Sequence, residues 1–250
     1  MLVFTISRRR GKLLLAAAAL LLLCRPYHLL QSVASETRLV PIYEVDTERQ
    51  QLAISFDASW GAEYTPALLD ILDQYQVKTT FFLVNIWLED YPDMAREIAA
   101  RGHEIGLHSV THPHFSQLSD EQIIAELSGN DQLIRELTGY QPRLFRPPYG
   151  DYNNRVIELC AAQGYKCIQW SVDSLDWQDL SAAQIVERVM KKADAGDIVL
   201  FHNNGLHTAE ALPLILEQLQ RQGLEVVPVS ELLLDGDYYV DNNGVQRRNK

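Results

Sequence analysis

The amino-acid sequence predicts an α/β domain in which a barrel-like parallel sheet is ringed by helices. The first observation is that short apolar runs alternate with longer segments of helical periodicity from Gln51 onward. This alternation is typical of parallel β-α units. The second observation is that about seven such units fit between Gln51 and Leu234 without a linker or an internal repeat, which favours one layered domain. An open, doubly wound sheet is the competing architecture.

The predicted strands are short apolar runs bounded by turn signals. They are Leu52–Phe56, Thr79–Leu83, Glu104–Leu107, Leu144–Phe145, Lys166–Trp170, Asp197–Phe201 and Leu224–Val229. The predicted helices are Pro66–Tyr75, Asp93–Arg101, Ser119–Thr138, Asn153–Gln163, Ser181–Asp194 and Ala209–Gln222. Ser119 and Ser181 each precede a glutamine by three residues, which is the capping-box pattern of a helix start. Glycine follows five of the helical runs, where its left-handed conformation ends a helix.

The first 34 residues have the layout of a targeting segment. A positive stretch, Arg8–Lys12, precedes the apolar run Leu13–Leu23, and small residues follow at Ser32–Ala34. The run is shorter than the roughly 20 residues of a membrane span, so a cleaved signal peptide is predicted, with an uncleaved anchor as the alternative. Either one places the body outside the cytoplasmic membrane, secreted or anchored to its outer face.

The rest of the chain is interpreted as a lead-in at 35–50, a main domain at 51–234 and a polar, loose tail at 235–250. Without residues 1–34, 17 basic residues remain against 33 acidic ones, a formal net charge of −16. Such an acidic body argues against a nucleic-acid partner. Membrane contact is expected only through the N-terminal segment, and a monomer is favoured. Cys160 and Cys167 are predicted to be small buried hydrophobes, although a disulfide between them stays open.

Residues that can carry chemistry follow five of the seven predicted strands. The five segments are Asp57-Ala58-Ser59-Trp60-Gly61, His108 through His112 and His114, Arg146-Pro147-Pro148-Tyr149-Gly150, Asp173 through Asp176-Trp177, and His202-Asn203-Asn204. In barrels and open α/β sheets the carboxyl ends of the strands meet at one edge. Each segment alone is a weak signal, but together they predict a functional rim.

In this order, the five segments resemble the polysaccharide deacetylase family, carbohydrate esterase family 4, over roughly Gln51 to Leu234. The resemblance implies a distorted (β/α) barrel. It also implies an enzyme that removes acetyl groups from N-acetylglucosamine or N-acetylmuramic acid units of cell-wall polysaccharide with a metal-activated water. The segment Ser55–Gly61, together with His202–His207, is most similar to the spore-associated subgroup of Gram-positive bacteria.

The resemblance also implies residue roles. Asp57 corresponds to the catalytic base, Arg146 to the arginine that holds it, His202 to the general acid and Asp176 to the acid paired with that histidine. His108 and His112 correspond to metal ligands, Leu200 to the acetyl pocket, Tyr149 to the oxyanion region and Trp177 to a hydrophobic wall. Trp60, Tyr149 and Trp177 are candidate stacking surfaces for sugar rings, with burial in the core as the alternative. The chemistry suits these residues, because a metal acidifies water, a carboxylate accepts its proton and an imidazolium protonates the amine.

One position departs from the family pattern. The family has a second consecutive aspartate as a metal ligand, and this chain has Ala58 there. Two ligands therefore replace the usual three of catalytic zinc, which puts the implied divalent metal, zinc foremost, in doubt. His114 is interpreted as a loop histidine and His207 as a surface residue at a helix start.

Two other functions stay open. Because of Ala58, the chain is alternatively a glycan-binding protein that keeps the fold without catalysis. A hydrolase for another bond, such as a glycosidic link, would need two carboxylates that flank one groove, whereas the rim here is rich in histidine.

Overall fold

The structure is a computed structural model that describes residues 37–249. Within this range the strands are Glu44–Val45 (β1), Gln51–Ala58 (β2), Thr80–Leu83 (β3), Glu104–Leu107 (β4), Leu144–Phe145 (β5), Lys166–Cys167 (β6), Val172–Asp173 (β7), Ile198–His202 (β8), Glu225–Val227 (β9), Tyr238–Val240 (β10) and Val245–Arg248 (β11). The α-helices are Thr65–Gln74 (α1), Asn85–Asp90 (α2), Pro92–Ala100 (α3), Asp120–Thr138 (α4), Asn154–Ala162 (α5), Ala182–Met190 (α6), Thr208–Arg221 (α7) and Val229–Leu232 (α8).

The main sheet is parallel throughout and has the strand order β6-β5-β4-β3-β2-β8-β7, with β9 paired to the first half of β2. The sheet curves into a half-barrel that helices surround. This confirms the predicted α/β class and the distorted (β/α) barrel. All seven predicted strands and all six predicted helices are present, with boundaries that agree to within four residues.

Strand β2 shows how the sheet separates two cores. Its residues alternate between the two faces of the sheet. Ile54 and Phe56 belong to the large apolar cluster that the helices cover. Ala53 belongs instead to a smaller cluster on the other face, with Phe82 and Ile198. By the same alternation, Ser55 and Asp57 share the face of Ala53, so Asp57 reaches the inner mouth of the half-barrel.

Helix ends follow the predicted local rules. The backbone N–H of Ser119 donates to Gln122 Oε1 at 2.9 Å, and that of Ser181 donates to Gln184 Oε1 at 3.0 Å. Gly139 ends α4 with a φ of 71°, a conformation that glycine adopts without a Cβ clash. The two N-terminal caps fix where α4 and α6 start, and therefore where the loops that lead into them from the mouth of the half-barrel end.

The two ends of the described chain correct the sequence-based expectation. Strands β1, β11 and β10 form a separate three-stranded sheet in that order. The side chain of Gln246 is fully buried and pairs with the backbone of Leu234, accepting from its N–H at 2.9 Å. The prediction of a loose tail is therefore wrong for residues 238–248. A polar segment without an apolar pattern can still form a strand, because it can pair with a strand that is distant in the sequence.

Two further predictions concern the cysteines and the N-terminal segment. Cys160 and Cys167 are both buried, free thiols, as expected of small hydrophobes. The predicted targeting segment lies outside the described residues. Among residues 37–249, no helix combines the length and apolarity that crossing a bilayer requires.

Candidate active site

The candidate active site is a pocket of about 510 Å³ at the carboxyl ends of the main-sheet strands. Residues from all five sequence segments line it, namely Asp57, His108, Tyr149, Asp176 and His202. Arg146 belongs to the same group of contacts but is completely buried. The structure therefore brings the segments together at one edge, as the order of strands and motifs predicted.

Arg146 holds the carboxylate of Asp57 in place. Its Nη1 donates to Asp57 Oδ1 at 2.8 Å. Its Nη2 donates to Ser55 Oγ at 2.9 Å and to the carbonyl of Gln169 at 3.1 Å. Its Cζ lies 4.1 Å from the centroid of the Phe82 ring, a cation–π contact. These contacts fix the guanidinium, so Asp57 has one defined position.

Asp57 is an ionised carboxylate at neutral pH. Burial alone would raise its pKa, because a low dielectric disfavours the charged form. The charge and hydrogen bond of Arg146, together with the contributions of His108 and His202, outweigh burial and hold the pKa of Asp57 below its ordinary value. An ionised, buried carboxylate at the edge of a pocket is suited to accept a proton.

His202 and Asp176 form the second charged pair. His202 ends β8 directly beside Asp57 in the register of the two parallel strands. Its Nδ1 lies 2.8 Å from Asp176 Oδ1, and its backbone N–H donates to Asp176 Oδ2 at 2.8 Å. Burial acts to lower the pKa of His202, but the hydrogen bond and charge of Asp176 raise it above the ordinary value. Because Nδ1 faces the carboxylate, Nε2 is the ring atom left to donate a proton.

Thr208 and Gly205 complete the surroundings of Asp176, and sequence reasoning missed both. Thr208 Oγ1 donates to Asp176 Oδ2 at 2.7 Å. A Cβ at Gly205 would lie 2.1 Å from that hydroxyl oxygen and 2.8 Å from Asp176 Oδ2, so only glycine fits there. Both residues lie within six positions of His202 in the segment His202–Thr208, but no pattern in the sequence shows that they turn back toward Asp176.

His108 and His112 are neutral imidazoles at pH 7. His108 Nδ1 lies 2.8 Å from the carbonyl oxygen of Arg146. A carbonyl only accepts, so Nδ1 carries the hydrogen and Nε2 keeps its lone pair. Burial lowers the pKa of His108. Burial and, to a smaller extent, the nearby His108 ring lower the pKa of His112 to about 4. Neutral imidazoles are the form that binds metal ions.

Helix α4 holds the loop that carries these two histidines. Asn130 Oδ1 accepts from the backbone N–H of His108 at 2.9 Å. Glu126 Oε2 accepts from the two backbone N–H groups that precede His112, at 2.8 and 2.9 Å. Asn130 was detectable in principle, because it interrupts the buried apolar stripe of α4, where Leu127 and Ile134 are its neighbours.

The described residues fit the implied divalent metal only in part. Nε2 of His108 lies 3.6 Å from Oδ2 of Asp57, so a lone pair faces a carboxylate and a cation between them is favourable. Nδ1 of His112 is buried without a hydrogen-bond partner. Residues 37–249 nevertheless contain no group of three or more His, Cys, Asp or Glu side chains arranged to hold a metal ion. His108 and His112 are therefore two candidate ligands, and the described residues do not supply the three of a usual catalytic zinc site.

Ala58 accounts for the missing ligand. It is fully buried in the apolar cluster that the helices cover, together with Leu83 and Val84. Asp57 and Ser59 line the pocket, whereas Ala58 does not. His114 does not replace it, because its ring stacks on Tyr149, with 4.4 Å between the ring centroids.

Three aromatic side chains stand at the rim rather than in the core. The exposed fractions of Trp60, Tyr149 and Trp177 are 61%, 59% and 57%, and all three line the pocket. Core packing, the alternative for these rings, is therefore excluded. Leu200 also lines the pocket but is almost completely buried, so it contributes apolar surface at the bottom. His207 lies at the start of α7 beside Glu210, at 3.3 Å, and does not line the pocket.

The chain belongs to the polysaccharide deacetylase family, whose sequence profile matches residues 44–168. The protein YlxY of Bacillus subtilis, which has no assigned activity, is 34% identical over 193 residues, which cover 77% of this chain and 60% of YlxY. A peptidoglycan-N-acetylglucosamine deacetylase of Bacillus cereus is 36% identical over 196 residues, which cover 76% of this chain and 92% of the relative.

Among solved structures, BA3943 of Bacillus anthracis, described as a CE4 family pseudoenzyme, has a TM-score of 0.75 and 33% identity. The match covers 77% of this chain and 68% of BA3943. A BA3943 mutant with restored enzymatic activity matches with the same TM-score and 34% identity. The family thus contains both active deacetylases and a protein of this fold without activity.

Proposed function

We propose that the chain hydrolyses the acetamide of N-acetylglucosamine or N-acetylmuramic acid units in peptidoglycan, releasing acetate. The observation that carries this proposal is a pair of neighbouring groups whose pKa values are shifted in opposite directions. Arg146 helps to lower the pKa of Asp57, which favours the carboxylate, while Asp176 raises the pKa of the adjacent His202, which favours its protonated form. Neighbouring groups whose pKa values are pushed apart are characteristic of an acid and a base in catalysis, and glycan binding alone does not need them.

The two groups can divide the proton transfers of amide hydrolysis. Asp57 accepts a proton from water as the water oxygen bonds to the acetyl carbon. His202 then donates the proton on Nε2 to the sugar nitrogen as the carbon–nitrogen bond breaks, leaving acetate and a free amine. When bound by His108 and His112, a divalent metal would supply a more acidic water and a polarised carbonyl.

The pocket walls fit an N-acetylated sugar. Trp60, Tyr149 and Trp177 present exposed rings at the rim, and aromatic faces suit the apolar faces of pyranose rings. Leu200 at the bottom offers an apolar contact for the acetyl methyl group. The rings bind the chain of sugars, and the acid and base lie where one acetamide enters.

A glycan-binding protein without catalysis is the second candidate. It is favoured by Ala58, which leaves two histidine ligands, and by the resemblance to the pseudoenzyme BA3943. The site in this chain keeps the hydrogen bond from Arg146 to Asp57 and the contact between His202 and Asp176, which favours the enzyme, because a pure binding site does not depend on these pairs.

The place of action follows from the substrate. Peptidoglycan lies outside the cytoplasmic membrane, and the predicted N-terminal targeting segment would bring the chain there, secreted or anchored. The resemblance of the Ser55–Gly61 segment to the spore-associated subgroup supports a role in the spore wall.

Acetate release tests the proposal. The full chain is incubated with N-acetylglucosamine oligomers and with peptidoglycan, in added zinc, added cobalt or a chelator, next to Asp57→Asn. We expect metal-dependent acetate that the substitution abolishes, and a similar affinity of both proteins for the oligomers. Glycan binding without acetate under any condition would establish the binding protein instead.

A further inference from the structure

The charges that line the pocket are unbalanced. Its lining includes four aspartates, Asp57, Asp173, Asp176 and Asp179, and no lysine or arginine. Asp57 pairs with Arg146, and Asp176 pairs with His202. Asp173 and Asp179 have no ion-pair partner within residues 37–249.

The two unpaired aspartates flank Trp177 in the sequence, Asp173 at the end of β7 and Asp179 two residues after the tryptophan. Asp173 is half-buried, and one of its carboxylate oxygens accepts from the backbone N–H of Leu175 at 2.9 Å. Arg188 donates to the backbone carbonyl of Asp173 at 2.7 Å, not to its carboxylate. Asp179 is exposed. Each aspartate therefore keeps carboxylate oxygen available to a ligand in the pocket.

The two sugars of peptidoglycan differ in charge, and carboxylates in the pocket would interact differently with each. N-acetylmuramic acid carries a lactyl carboxylate, N-acetylglucosamine is neutral, and a glucosamine that has lost its acetyl group carries an ammonium. Like charges brought together in a partly enclosed pocket repel, and opposite charges attract, more strongly than in bulk water.

We propose that Asp173 and Asp179 select glycan segments of neutral N-acetylglucosamine and amine-bearing glucosamine, and disfavour muramic acid units with a free lactyl carboxylate. This inference rests on the proposed function for its substrate class, and it specifies which sugar that function concerns. The aromatic rim at Trp60, Tyr149 and Trp177 is the independent observation of a ligand site, since three exposed rings surround the same pocket. The product amine would itself be attracted, so chains that are already partly deacetylated are bound preferentially.

Three tetrasaccharides test the inference by binding alone. They are the fully acetylated N-acetylglucosamine tetramer, the same tetramer with two free amines, and an alternating tetramer with N-acetylmuramic acid. Affinities are measured with the full chain by calorimetry and by quenching of tryptophan fluorescence. We expect the amine-bearing tetramer to bind about tenfold more tightly than the muramic acid tetramer at low salt, with the neutral tetramer between them. Salt at about 1 M, where the Debye length is about 3 Å, should remove most of this difference.

Asp173→Asn with Asp179→Asn should reduce the tenfold ratio to about twofold. The matched control is Glu187→Gln with Asp235→Asn, which removes two exposed acids outside the pocket and should leave the ratio unchanged. Equal affinities, a preference for the muramic acid tetramer, or loss of the ratio in the control as well would overturn the inference. Acetate is measured in the same samples. If affinity follows the charge of the tetramer but no acetate is released, the proposed catalysis is wrong and the selectivity stands. If acetate is released but affinity does not follow charge, the catalysis stands and the selectivity is wrong.

Discussion

The acid–base corner and the metal corner of the pocket are built to different degrees. In the acid–base corner, both carboxylates are held by hydrogen bonds, from Arg146 to Asp57 and from His202 and Thr208 to Asp176. In the metal corner, two neutral histidines have no third ligand among the described residues, since Ala58 stands where the family has aspartate. The difference shows that the two hydrogen-bonded carboxylates are fully built in a pocket that lacks a complete set of candidate metal ligands.

The largest expected effect comes from breaking the acid–base corner at Arg146. Arg146→Met removes a fully buried cation and leaves Asp57 buried without its partner, which costs about 3–5 kcal/mol. Urea denaturation checks this. Arg155→Met, at an exposed pair with Asp120, is the matched control and should leave the unfolding midpoint near that of the wild type. If the two variants unfold alike, Arg146 does not hold this corner together.

The second-largest effect is expected from Ala58→Asp, which gives the metal corner the carboxylate that it lacks. Ala58→Asp places an acid in an apolar cluster, so without metal we expect a loss of about 1–3 kcal/mol. Zinc at a hundred times its Kd should return about 2.7 kcal/mol, because binding turns the carboxylate at the end of β2 from the apolar cluster into the pocket, where it completes the ligands with His108 and His112. Thermal unfolding with and without zinc measures this. Ala58→Asn has the same size without the charge, and zinc should stabilise it no more than the wild type.

A smaller effect is expected at Thr208. Thr208→Val leaves Oδ2 of the buried Asp176 with one donor fewer, which costs about 1–2 kcal/mol of unfolding free energy. Thr208→Ser keeps the hydroxyl and should lose much less stability. A pH profile of acetate release separates positioning from packing. If the hydroxyl orients Asp176, the profile of the valine variant shifts and that of the serine variant does not.

The smallest expected effect is a shift in the pH at which acetate release declines. The pKa of His202 is raised mainly because the contact with Asp176 outweighs burial, so its protonated form persists above the ordinary range. Acetate release should therefore decline as pH rises through that raised pKa. Asp176→Asn removes the negative charge and should move the decline to lower pH. The same contact stabilises the fold below the ordinary histidine pKa, and that contribution is lost as pH rises through the raised value. If acetate release by Asp176→Asn declines at the same pH as that of the wild type, a group other than His202 determines the decline.

Much of the acid–base corner could be predicted from the sequence, because three of its residues lie at or directly after the end of an apolar run. Asp57, Arg146 and His202 all come at the ends of strands that pair in parallel, and strand ends converge by geometry. Residues that act from a distance in the chain were not predictable in this way. Asn130 and Glu126 reach the histidine loop from α4, and their contribution depends on how that helix packs.

The three-stranded sheet also depends on contacts between distant residues, which the sequence did not predict. Strand β11 has the sequence Val-Gln-Arg-Arg, which has no apolar alternation. It becomes a strand because it pairs in parallel with β1, about 200 residues earlier in the chain, and in antiparallel with β10. Pairing over such a distance depends on the whole fold, whereas the alternation in β2 is a property of eight consecutive residues.

The most direct test of the account compares acetate release by the wild type and by Ala58→Asp at saturating zinc. If the acid–base corner is competent and two histidines suffice to recruit the ion, the wild type should release acetate within about tenfold of the variant once zinc is in excess. Asp57→Asn in either background should release none. Acetate from Ala58→Asp together with none from the wild type, at any zinc concentration, would contradict the account and show that this chain binds glycan without hydrolysing it.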